Sequence, residues 1–129
     1  MERLAFTARC GFAKEEEEAF IVGFADSEKE PGNYIIVQRV VEQDAEEVNG
    51  ELNSYFLELN DRSMSGYGGI RHVLLSRERL VLALAPANQY CGEIKEIDVV
   101  LAEGCIDFEE VVTYLGRIFD DTDCHFTVG

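Results

Sequence analysis

Two histidines, four cysteines and a surplus of carboxylates are the groups in this 129-residue chain that can do chemistry. A Ser-His-Asp set can be assembled from Ser76, His72 and Asp61. No nucleophile-elbow pattern surrounds the serine, and His72 falls inside an apolar strand pattern facing small residues. It reads as a packed histidine rather than a base. Cys124-His125 with Asp121 and Asp123 imitates a metal cluster. Neighbouring residues on a strand point to opposite faces, however, so Cys124 and His125 do not converge on one ion. Asp120-Asp121-Thr122-Asp123 lacks the loop and glycine of a calcium site. The residues therefore assign no catalytic group, no metal and no cofactor.

The carboxylates remain. Eleven Lys+Arg against 26 Asp+Glu give a net charge of −15 and a pI near 4.3. Phosphate binding needs clustered cations, so direct nucleic-acid contact is not expected, nor is an anionic membrane surface. An acidic surface instead steers a basic protein toward it. Two segments concentrate the charge: Glu15, Glu16, Glu17 and Glu18 in one, and Glu42, Asp44, Glu46 and Glu47, followed by Glu51, in the other. Each alone reads as a solvated face. Together, if they meet in space, they form a partner-binding field, and these residues are the candidate site.

The elements that must carry them follow from pattern. Leu4–Ala8, Phe20–Ala25, Tyr34–Val41, Asn53–Leu59 and Ile94–Ala102 read as strands. Phe20, Val22 and Phe24 share a side, and Gly23 marks a bulge or a close approach. Ile97, Val99 and Leu101 face one way and Glu96 and Asp98 the other, so that second side is expected to be wet. Ser65-Gly66-Tyr67-Gly68-Gly69 reads as a turn leading into a hairpin, Ile70–Leu75 and Leu80–Ala85, with Ser76-Arg77-Glu78-Arg79 as its loop. Pairing Leu75 with Leu80 puts Val73, Leu75, Leu80, Leu82 and Leu84 on one face. Ile70, His72, Leu74, Val81 and Ala83 take the other. Neither face is polar throughout, so this hairpin is expected mid-sheet, covered on both sides, its smaller face receiving a helix.

That helix begins at Asp107, which can cap the free amides with Glu110 three residues on. Phe108, Val111, Val112, Leu115, Ile118 and Phe119 form its apolar stripe. Gly116 costs helix propensity, so close packing is expected there. Cys124–Val128 is expected as a final edge strand. The overall expectation is one α+β domain over residues 1–129, a largely antiparallel sheet of about seven strands with one C-terminal helix packed on it.

The run YFLELNDRSMSGYGGIRHVLLSRERLVLAL, with a β segment and a helix ending Arg117-Ile118-Phe119, resembles the immunity protein 10 family of bacterial polymorphic toxin systems. Ser65-Gly66-Tyr67-Gly68-Gly69-Ile70 and Leu75-Ser76-Arg77-Glu78-Arg79-Leu80 carry most of the likeness. It spans roughly residues 50 to 120. The resemblance implies an antidote that binds a secreted toxin's effector domain, and it transfers no contact residue.

The expected role is thus neutralisation of a cognate basic toxin, a nuclease being the natural fit, by occluding its basic surface without catalysis. The rival is a small-molecule or peptide-binding module using an apolar cleft beside the helix and Tyr67 or Tyr90. The start, MERLAFTARCGF, has no apolar core long enough for a signal peptide, and the cysteines are widely spaced. A cytoplasmic location with reduced thiols is expected. Edge strands leave pairing into a homodimer open.

Overall fold

The computed structural model describes residues 2–30, 32–40, 55–86 and 88–129. Its described elements run β1 (Arg3–Ala8), β2 (Cys10–Glu16), β3 (Ala19–Ala25), β4 (Tyr34–Val40), β5 (Phe56–Leu59), β6 (Asp61–Tyr67), β7 (Ile70–Leu75), β8 (Arg79–Leu84), β9 (Glu96–Leu101), α1 (Phe108–Phe119) and β10 (His125–Val128). The α+β class is as expected, but the strands form two five-stranded sheets, not one of about seven. The first has the order β1-β9-β8-β7-β10 and the second β2-β3-β4-β5-β6. Pairing is antiparallel except for β1 on β9 and β10 on β7.

The two additional strands, β2 and β6, are edges of the second sheet. β2 ends in Lys14, Glu15 and Glu16, all exposed, and β6 reads DRSMSGY. An edge strand with polar residues avoids pairing with other chains, and the same polarity hides it from a search for apolar alternation. Ser65, Gly66 and Tyr67 accordingly belong to β6 and are not a turn.

Within this motif Gly68 and Gly69 alone make the turn, carrying the chain from the second sheet to the first with φ of 67° and 88°, a region that glycine enters without a Cβ penalty. Tyr55 holds this corner. Its carbonyl accepts from Gly68 N at 2.9 Å. Its hydroxyl accepts from Ile70 N at 2.8 Å and donates to Ile70 O at 3.1 Å. On the other side, Tyr90 donates its hydroxyl to Gly68 O, and its ring occupies the space that a side chain on Gly66 would need. The glycine-rich motif therefore joins sheets.

The β7–β8 hairpin has the expected register, Leu75 opposite Leu80. β8 is the middle strand of its sheet. A register shift between Ile70 and His72 moves Ile70 opposite Leu84, onto the buried face. The other face is open: Leu74 is 40% exposed, and no helix among the described residues covers it. Helix α1 instead packs on β2, β3 and β4 of the second sheet and on β10 of the first. Val111, Leu115, Ile118 and Phe119 of α1 join the inward faces of both sheets in one apolar cluster. Each large side chain buried this way contributes about 1.5–3 kcal/mol. Asp107 caps α1 as expected, accepting from Glu110 N at 3.1 Å.

Gly116 is not a close-packing site, since a Cβ there would meet nothing within 4 Å. Gly116→Ala is therefore expected to stabilise the fold by about 0.5–1 kcal/mol, from helix propensity alone. Urea unfolding checks it through a raised midpoint with an unchanged m value.

Candidate functional site

The four-glutamate run is the tip of the β2–β3 hairpin. Glu16 pairs with Ala19, leaving Glu17 and Glu18 as a two-residue connection with φ of 51° and 64°. Positive φ at both central residues matches the right-handed twist of the flanking strands, and Asn-Gly usually fills it. Two glutamates hold it here, each at a cost of roughly 1 kcal/mol. Glu15, Glu16, Glu17 and Glu18 are all exposed. Lys14 Nζ pairs with Glu16 at 2.6 Å, an exposed bridge worth at most about 1 kcal/mol.

Glu42, Asp44, Glu46, Glu47 and Glu51 lie outside the described residues. Their flanks are described. Val40 pairs with Ala19, and Phe56 pairs with Gln38. The chain thus leaves β4 and enters β5 at the sheet end that carries the hairpin tip. Further carboxylates follow the helix that is tied to this end. Arg39, the cross-strand partner of Phe20, donates to Ile118 O at 3.1 Å and to Asp120 O, tying the C-terminus of α1 to this end. Asp120, Asp121 and Asp123, all exposed, follow it. In the sequence these three read as a poor calcium loop and, for Asp121 and Asp123, as an imitation of a metal cluster. One signal was present: carboxylates just after a helix C-terminus oppose its dipole, so helix stability does not account for them. The nearby cations are engaged, Arg39 on the helix carbonyls and Arg117 over the Phe20 ring at 5.2 Å.

The candidate catalytic groups do not converge. His72 lies on the open face of the first sheet, half-buried rather than in the core, with Nε2 3.1 Å from Thr127 Oγ1. Ser76 Oγ donates to Arg79 O at 3.4 Å, and Asp61 accepts from Ser63 N at 2.8 Å. Among the described residues, no hydrogen bond links the three. His125 is exposed while Cys124 is buried, its thiol pushed up to about 12 by burial. Among the described residues, no group of three or more His, Cys, Asp or Glu is placed to hold a metal ion. Tyr90 is engaged at the glycine corner, and Tyr67 packs edge-on against Phe56. No helix among the described residues is long and apolar enough to cross a membrane.

Asp98 was expected on a wet face, yet it is 4% exposed. Arg79 covers it with Nε at 2.7 Å and Nη2 at 2.6 Å, and Arg3 bonds it from β1. The carboxyl is held below the usual carboxylate range by the bonds from Arg79, against burial, with Arg3 adding to the effect. A depressed folded-state pKa stabilises above the unfolded value near 4, and that contribution is lost as pH falls through the folded value. Asp98→Asn is expected to cost about 1.5–2 kcal/mol at neutral pH, since it leaves two arginines facing a neutral group. The cost should shrink below about pH 4. Chemical unfolding of both proteins across that range checks the sign.

A cavity of about 780 Å³ opens on the outer face of the second sheet, opposite α1. It is not the apolar cleft beside the helix that the sequence suggested. Phe12, Gly23, Ile36 and Glu58 line it as successive cross-strand neighbours.

No curated protein matches the chain. A family model, Immunity protein 10, matches residues 7–107. The match begins well before the glycine-rich corner that first carried the resemblance, and it ends at the cap of α1. It takes in the β2–β3 hairpin, the corner held by Tyr55 and the Arg79–Asp98 pairing, and so most of both sheets. Because that match covers well over half of the sequence, the chain belongs to the Immunity protein 10 family and has the immunity role in toxin systems which that family name carries.

Proposed function

We propose that this protein is a bacterial cytoplasmic antidote that neutralises its cognate toxin by binding alone, without catalysis. The acidic end of the second sheet docks on a basic surface of the toxin, a nuclease whose substrate groove must attract phosphate. Filling that groove with carboxylates excludes nucleic acid by charge as well as by bulk.

One observation carries the reading. The Glu15–Glu18 tip and both flanks of the 41–54 segment share one end of one sheet, Arg39 ties the Asp120 carbonyl to that end, and the neighbouring arginines are spent on the fold. The strained Glu17-Glu18 turn supports it, because charge is kept there against backbone preference.

The test is stopped-flow mixing with the toxin domain encoded by the adjacent gene over a range of NaCl. Association should slow steeply with salt while dissociation changes little. An association rate indifferent to salt would overturn acidic steering.

A further inference from the structure

We infer that the groove on the outer face of the second sheet is a subsite for an arginine side chain of the bound toxin. This deepens the toxin-binding reading and rests on it.

The groove has an apolar floor and an anionic wall. Gly23 leaves the floor open, and the Phe12 ring leans over it into the space where a Cβ would stand. Ile36 continues the floor on β4. Glu58 forms the wall. Its Oε2 takes the hydroxyl bond of Tyr34, which fixes the carboxylate, and Oε1 has no partner among the described residues. The Tyr34 phenol is pushed up to about 12, chiefly by burial and then by Glu58, so it stays a donor and does not add charge. Glu28 adds a second carboxylate, against one cation, Arg62, among the described lining residues.

An occupant must therefore bring positive charge together with a surface that lies flat on apolar groups. Arginine does both. Its guanidinium is weakly hydrated and planar, and it offers several donors to a fixed carboxylate. A lysine ammonium is more strongly hydrated and loses more on entering. The protein's own Lys14 stands over the Phe12 ring, 5.1 Å from its centroid, so this face already accommodates a cation. The groove lies toward the Cys10, Ala25 and Tyr34 end of the sheet, away from the hairpin tip. The two surfaces have separate tasks: the tip speeds encounter, and the groove holds what has arrived.

The probe is N-acetyl-arginine amide, titrated into the 15N-labelled protein and followed by amide shifts. Saturable shifts at Gly23, Ile36 and Glu58 are expected. They should weaken at least about fivefold in Glu58→Gln and in Phe12→Ala, whose effect does not depend on the Tyr34–Glu58 bond. The variant with Glu15, Glu16, Glu17 and Glu18 all changed to Gln should bind the probe as the parent does. Shifts confined to the hairpin tip, no saturable shift, or equal binding of N-acetyl-lysine amide would each overturn the proposal. Against the toxin domain, Glu58→Gln should raise the dissociation rate and leave the association rate alone. If Glu58→Gln dissociates like the parent while the tip variant still slows association, the subsite falls and the docking reading stands. If the tip variant has no effect but the arginine probe binds as described, acidic steering falls alone.

Discussion

Changing Glu15, Glu16, Glu17 and Glu18 together to glutamine is expected to lower the association rate with the toxin domain by about tenfold or more at low salt. The side chains are exposed and form the tip of a hairpin, so their removal takes away field without taking away packing. The effect should vanish near 1 M salt, where the screening length falls to about 3 Å. Stability should hold or rise slightly, because four like charges no longer repel one another. A second variant separates charge from strain. Glu17→Asn with Glu18→Gly gives the turn the residues that its positive φ values favour. It should stabilise the fold by about 1 kcal/mol or more, yet slow association less than the fourfold change does. Equal association rates for all three proteins would remove the tip from the mechanism.

Tyr55→Phe is expected to cost about 2.5 kcal/mol for a single deleted oxygen. Tyr55 is 2% exposed, and its hydroxyl satisfies both backbone groups of Ile70. Phenylalanine fills the same volume, so the ring contact with Phe119, at 5.0 Å between centroids, survives. What is lost is the partner of a buried N–H and a buried C=O at the corner where the chain changes sheets. For a chain of this length the melting temperature should fall by roughly 10 °C. Thermal unfolding by circular dichroism reads it directly. The phenol, pushed up to about 12 mainly by burial, adds a pH signature: ionising it should unfold the corner only in strong alkali. A loss under about 0.5 kcal/mol would mean that water replaces the hydroxyl and that the corner is not held from here.

Much of this protein was determined locally. The β7–β8 register follows from a short polar loop between two apolar runs, and the helix start follows from Asp107 and a stripe at helical spacing. Both are short-range choices between chain neighbours. The inward faces Phe20-Val22-Phe24 and Ile97-Val99-Leu101 follow from the two-residue period of a strand. The acidic tip was visible as a charge run, which by itself read as a solvated face. The corner was legible as glycine, though not as a corner.

Only the tertiary structure decided how many sheets there are and which groups meet. Polar edge strands carry no apolar alternation, so β2 and β6 became visible only as partners of β3 and β5. The helix packs on the second sheet and leaves Leu74 on the outer face of β7–β8 exposed, and no residue in that hairpin announces it. Asp98 looked like a wet carboxylate because its two arginines lie 19 and 95 residues away. The tie between the C-terminus of α1 and the sheet end that carries the Glu15–Glu18 tip depends on Arg39 reaching a carbonyl 79 residues on. Contacts at such separations are set by how two sheets close around one helix, and a linear pattern holds no record of that closure.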